Sequence, residues 1–303
     1  MLHDTVTIVN APTFGSAQTA DTADAVGLSW WEAVILGLVE GITEYLPVSS
    51  TGHLLFVAEL LGLTETQASE DSIETFVICI QVGAIAAVLF LYRERIQSMI
   101  DGLFGRSDEG RAILIRVIAA FVPTAIIGLA FQFSSIRDTI FSPEAIVAAW
   151  LVGGALVVWL SARSWFRSGT RELSELTVQH AVLIGLAQSI AIWPGVSRSL
   201  VTIMAAVAVG LTLRAAVEFA FLLGVITLGA ATVVEGAQNG GAMIDTFGWA
   251  TPLLGLVVGF VSAVIAVKWM VSYLEERGFA FFGWYRLAIG ALGLVLILAG
   301  VFG

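Results

Sequence analysis

Cysteine is nearly absent from this chain: Cys79 is the single one, and it sits inside an apolar run. That excludes a disulfide framework and a thiolate metal site, and leaves a small core residue as the reading. Charge is scarce too. Only 13% of the 303 residues are Asp, Glu, Lys or Arg, against 58% hydrophobic, and the mean hydropathy is +0.93. A soluble globular fold is excluded and an integral membrane protein is expected. Bases are fewer than acids, 14 against 24 for a net charge of −10. No basic patch could offset phosphate repulsion, so a nucleic-acid partner is excluded. Residues 1–28 hold no Lys or Arg and no continuous apolar core. They fail as a secretory signal and read as a polar, loosely attached tail ahead of one membrane domain over 29–303.

What the chain has in abundance is long apolar runs. A helix crossing the hydrocarbon needs about 20 apolar residues. Six stretches meet that, at roughly 74–92, 112–132, 144–163, 215–234, 249–270 and 284–302. Two others are interrupted. The run over 31–46 is cut by Pro47 and resumes at 53–63, and the run over 180–193 is cut by Pro194-Gly195 and resumes at 199–211. Each piece is too short to cross, so each pair reads as a hairpin that enters and leaves on one side. Irregular backbone at that depth must be packed in protein or face a watery cavity. Both breaks therefore mark a site.

The broken regions resemble each other. AVILGLVEGI (33–42) aligns with AVLIGLAQSI (181–190) at an offset of 148, which places Val48-Ser49 on Val196-Ser197 and Glu40 on Gln188. Each repeat, about 30–163 and 178–302, is one hairpin plus three spans. Three is odd, so the second copy starts from the opposite face. The expected fold is an all-α polytopic membrane protein with six transmembrane helices and two re-entrant helical hairpins in an inverted-topology repeat. Basic residues set its orientation. With the N-terminus outside, Arg93, Arg95, Arg106, Arg111, Arg116, Arg163, Arg167, Arg171, Arg214, Lys268, Arg277 and Arg286 all fall on or near inner loops. Only Arg137 lies on an outer connection, and Arg198 lies inside the second break. That bias predicts both termini outside. Trp30, Trp31, Trp165, Trp249, Trp269 and Trp284 fall near span ends, as interfacial tryptophans do, whereas Trp150 and Trp159 read as core. Ser142-Pro143-Glu144 supplies a cap, a first-turn proline and a first-turn acid.

Polar residues gather at the breaks. Glu40 and Glu44 are four apart, on one helix face, where two buried like charges cannot both stay ionised without help. Either one is protonated, or an arginine or a divalent cation (Mg²⁺ or Ca²⁺) lies between them and a substrate. In WPGVSRSLVT (193–202) the chain restarts a helix after Pro194-Gly195, leaving N–H groups near Ser197, Arg198 and Ser199 for an anion, with the planar fork of Arg198 beside them. A structural pairing of Arg198 with Glu40 or Glu44 is the alternative. In PVSSTGH (47–53), capping explains one hydroxyl but not Ser49, Ser50, Thr51 and His53 together. A serine beside a histidine and a glutamate can act as an assisted nucleophile.

At these residues the sequence resembles the undecaprenyl-diphosphate phosphatase family, also called the bacitracin-resistance protein family. EGITEYLPVSSTGH (40–53) is similar to its first signature and PGVSRSLVT (194–202) to its second, with QVGAIAAV (81–88), EFAFLL (218–223) and Tyr285-Arg286 also in place. The resemblance implies hydrolysis of a polyprenyl diphosphate lipid to the monophosphate, recycling the carrier for cell-envelope glycan synthesis. It also implies a site facing the outside of the plasma membrane and a homodimer. By the same resemblance, Glu40 and Glu44 serve metal binding or acid–base work, Ser50 is the favoured nucleophile with His53 as the other candidate, and Arg198 with Ser197, Ser199 and Thr202 holds phosphate. Leu200-Val201 stand where small residues are usual, and Ile226 where a proline is common. The rival reading is a flippase or transporter of the lipid head group, since inverted repeats with broken helices are typical of carriers.

Overall fold

The computed structural model describes residues 28–63, 67–132 and 142–301. The polar tail and Arg137 lie outside the described residues. What is described is helical: α1 (Trp30–Thr43), α2 (Ser50–Leu60), α3 (Gln67–Leu91), α4 (Arg93–Leu103), α5 (Asp108–Gln132), α6 (Pro143–Ala162), α7 (Val178–Gln188), α8 (Arg198–Ala208), α9 (Leu213–Phe247), α10 (Ala250–Arg277) and α11 (Ala280–Leu298). Short 3₁₀ turns at Trp165–Arg167, Leu173–Glu175 and Ser189–Ile192 complete the path.

Five helices, α5, α6, α9, α10 and α11, are long and apolar enough to cross a membrane, and α3 with α4 makes a sixth candidate bent by 84°. The chain is a multi-pass membrane protein. Its outward faces are apolar because lipid, not water, meets them: Ile126, Leu129, Val152 and Ile265 are all exposed. The two broken segments fall where proline interrupts the apolar runs. α1 and α2 are each shorter than a crossing, as are α7 and α8.

Local chemistry accounts for the helix starts. Ser29 and Glu32 form a reciprocal capping box ahead of α1. The Ser142 hydroxyl accepts from the Ala145 N–H at 3.2 Å, with Pro143 in the first turn of α6. Thr177, Ser197 and Thr212 cap α7, α8 and α9 in the same way. Trp150 is fully buried, as its position suggests, but Trp159 is half exposed. The Arg163 guanidinium lies 4.0 Å from the Trp159 ring centroid. The helix rotates Trp159 outward, where that stack and the lipid accommodate it, so it is not a core residue.

Packing repeats itself across the two halves of the chain. α1 lies along α10 while α7 lies along α5, α3 contacts α10 while α9 contacts α5, and the pairs α6–α11 and α3–α9 close the arrangement. The two hairpins are seated alike in detail. Ser262 donates to the Gly37 carbonyl at 3.3 Å, and Thr124 to the Gly185 carbonyl at 2.8 Å. Gly37 and Gly185 permit this approach. A Cβ on Gly37 would come within 2.5 Å of the Gly255 carbonyl oxygen, and one on Gly185 within 1.9 Å of that of Ala120.

Candidate active site

The two breaks meet. Glu44, at the end of α1, receives the Arg198 guanidinium at 2.9 Å, with side chains only 5% and 12% exposed. The other Glu44 oxygen accepts a short hydrogen bond from the Ser50 hydroxyl at the start of α2. Ser199 donates to the Leu46 carbonyl at 2.8 Å, a second bond between the breaks. Arg198 also donates to the Ala220 carbonyl at 3.3 Å and sits 5.4 Å from the centroid of Tyr45. The guanidinium is thus held from α1 and α9 and cannot swing freely.

Ser49 and Ser197, the residues preceding α2 and α8, have φ of 74° and 78°. Non-glycine residues seldom adopt such values, and they persist only where surrounding structure enforces them. The reversal they make is what turns Ser50 and Arg198 toward each other.

A cavity of about 220 Å³ opens at this junction, lined by Glu44, Ser49, Ser50, Thr51, Ser197 and Arg198 among others. Four further sequence-marked residues stand elsewhere. Glu40 is fully buried behind Glu44, and neither of its carboxylate oxygens has a partner. His53 is not among the residues lining the cavity. Its Nδ1 lies 2.6 Å from the Ser49 carbonyl and its Nε2 2.9 Å from the Tyr285 hydroxyl. Ser199 and Thr202 are buried struts, with Thr202 donating to Gln188 at 3.0 Å and to the Arg198 carbonyl at 2.8 Å.

The family model described as bacitracin resistance protein BacA matches residues 33–292. The chain belongs to that family. The undecaprenyl-diphosphatase of Sorangium cellulosum is 40% identical over 270 residues, covering 88% of this chain and 86% of its own. Undecaprenyl-diphosphatase 2 of Rhodospirillum rubrum is 39% identical over 270 residues, covering 89% and 96%. Undecaprenyl-diphosphatase 1 of Acinetobacter baylyi is 35% identical over 269 residues, with the same 89% and 96%.

This BacA-family site has further polar lining beyond the two signatures. Gln81, Thr124, Gln188 and Thr227 line the same cavity as Ser50. Gln188, the repeat counterpart of Glu40, donates to Thr124 and Thr227, each at 3.2 Å. The amide is therefore satisfied where its acidic counterpart is not. That asymmetry between the halves is readable in the repeat alignment, but the threonines around Gln188 come from three other helices and carry no sequence signal.

Proposed function

We propose that this chain hydrolyses an undecaprenyl-type polyprenyl diphosphate to the monophosphate and inorganic phosphate, with Ser50 as nucleophile, Glu44 as its base and Arg198 as the clamp on the transferred phosphoryl group. The observation that carries this is the bridging position of Glu44, one oxygen on Ser50 and the other on Arg198. A carboxylate bonded to a hydroxyl lowers the cost of removing its proton. The guanidinium beside it offers planar donors to phosphoryl oxygens. The first-turn N–H groups of α2 and α8 have no acceptor within their own helices and add positive potential at the same cavity.

The reaction runs in two halves. Ser50 Oγ attacks the terminal phosphorus while Glu44 takes its proton, and the bond from phosphorus to the bridging oxygen breaks. Glu44 passes that proton to the leaving monophosphate. Water then attacks the phosphoserine, one of its protons moves through Glu44 to Ser50 Oγ as the P–Oγ bond breaks, and inorganic phosphate leaves. Phosphoryl transfer needs mainly positioning and charge stabilisation, which these groups supply. The ion pair of Glu44 with Arg198 is the resting arrangement, and the incoming head group competes for the guanidinium. His53 is less suited to attack, because it does not line the cavity and both of its ring nitrogens are already engaged.

A divalent cation fits the paired acids in one respect. No cluster of three His, Cys, Asp or Glu exists among the described residues, but Glu40, with both oxygens unpartnered, and Glu44 one turn on are two carboxylates of the kind Mg²⁺ shares with phosphate and water. When bound, it would neutralise charge on the diphosphate.

In the membrane, six spans cross fully and the two broken pairs enter from opposite leaflets. The pairwise repetition of contacts between the halves and the matching φ of Ser49 and Ser197 support this. The inner-loop bias of arginine supports an outward-facing site. The deciding experiment is phosphate release from undecaprenyl diphosphate by purified protein in detergent, with no second compartment. Stoichiometric release is expected. Lipid movement across vesicles without release would discard hydrolysis in favour of a carrier.

A further inference from the structure

Arg286, near the start of α11, is fully buried. Among the described residues it has no carboxylate partner; its two Nη groups donate to main-chain carbonyls instead, and its Nε has no partner. Nη2 donates to Gly195 at the tip of the second break and to Ala149 on α6, both at 2.8 Å, and Nη1 reaches Pro47 at the tip of the first break at 3.5 Å. A buried guanidinium without a counter-ion is costly. It is also the one side chain whose planar fork can span carbonyls from separate segments at once.

Its neighbour acts on the same break. Because the Ser49 carbonyl can only accept, the His53 Nδ1 at 2.6 Å carries a proton. In the neutral tautomer that this sets, Nε2 accepts from the Tyr285 O–H, 2.9 Å away. The two rings stack with centroids 5.7 Å apart and planes 12° from parallel. Adding Trp150, whose indole donates to the Val48 carbonyl at 3.1 Å, and Ser199 on Leu46 at 2.8 Å, every carbonyl from residue 46 to 49 is held by a side chain from beyond those four residues. That segment carries the Ser49 backbone reversal and delivers Ser50.

We infer that Tyr285 and Arg286 are positioning residues of the phosphatase: Arg286 staples the two break tips together, and Tyr285 holds His53 in the tautomer that fixes Ser49. They touch no substrate and act through Ser50 and Arg198. The inference rests on the assignment of those two residues to the chemistry. Gly153 belongs to the same device, since a Cβ there would come within 2.5 Å of Arg286 Nη2 and push the guanidinium from its carbonyls.

The test is steady-state kinetics of Tyr285→Phe, Arg286→Lys and Gly153→Ala beside Ser50→Ala, each checked for monodispersity and thermal stability in detergent. Tyr285→Phe keeps the ring stack and loses only the hydroxyl. Positioning predicts that kcat falls about tenfold in Tyr285→Phe and Gly153→Ala, and further in Arg286→Lys, while KM stays within about threefold, because near-attack geometry is lost and binding is not. Wild-type kcat in a folded Tyr285→Phe and Gly153→Ala, with Ser50→Ala silent, overturns the inference and leaves the reaction assignment standing. Should Arg286→Lys not fold, the other two variants decide. An active Ser50→Ala instead overturns the assignment itself.

Discussion

Ser49 and Ser197 occupy equivalent places in the two repeats and share one unusual backbone conformation, φ 74° and ψ 96° in the first, φ 78° and ψ 112° in the second. Each ends a break and starts a helix whose first residue, Ser50 or Arg198, faces the shared cavity. The pairing of a strained turn with a functional side chain in both halves brings one cavity together from two distant parts of the chain.

If the turn at Ser49 is held against its preference, glycine suits it better than alanine. Ser49→Gly is expected to unfold at a higher temperature than Ser49→Ala, by the equivalent of about 1–2 kcal/mol, since only the latter retains a Cβ at positive φ. Thermal unfolding of the two purified variants measures the difference.

Removing one partner of a buried ion pair leaves the other uncompensated. Glu44→Gln is expected to lower kcat by at least about 10²-fold and to cost on the order of 3 kcal/mol of stability, because Arg198 then keeps its charge with no carboxylate in contact. Arg198→Ala should abolish turnover with the protein still folded. Phosphate release and thermal melts on the same samples separate the two effects.

Gly224 of α9 faces Arg198, and a Cβ there would lie 2.2 Å from Arg198 Nη1. Glycine to alanine inside a helix ordinarily gains about 1 kcal/mol. Gly224→Ala is expected to match or exceed the wild-type melting temperature while losing about tenfold in kcat/KM through displacement of the guanidinium. A variant that is stable but slow is the signature; unchanged kinetics would show that Arg198 relocates without consequence.

Glu40 tests the cation. With both oxygens buried and unpartnered, Glu40→Gln should melt no lower than wild type in chelator. It should also lose the stimulation by Mg²⁺ or Ca²⁺ that restores chelated wild type. A wild-type enzyme indifferent to chelator would remove the cation from the reaction.

Much of this arrangement is legible in the sequence because it is written in hydropathy and proline. Apolar length gives the spanning helices, Pro47 and Pro194 give the breaks, and the likeness of 33–42 to 181–190 pairs the two halves. That pairing leads to Glu44 and Arg198 sharing a site. Other features depend on rotation about helix axes that periodicity leaves open. Ser199 and Thr202 turn into the protein as struts, His53 turns to Tyr285, and Trp159 turns out to lipid. In the sequence Arg286 is an inner-loop cation and half of the Tyr285-Arg286 pair, with nothing to say what it touches. Its role comes from two carbonyls 239 and 91 residues away in the chain, and main-chain acceptors leave no mark on composition.

The most direct measurement is kcat for phosphate release from undecaprenyl diphosphate by purified Ser50→Ala, with a Ser50→Cys variant beside it. Loss of at least about 10³-fold in the alanine variant, as expected when an activated nucleophile is deleted, together with partial turnover in the cysteine variant, is what a Ser50–Glu44–Arg198 site predicts. An alanine variant within tenfold of wild type would contradict it.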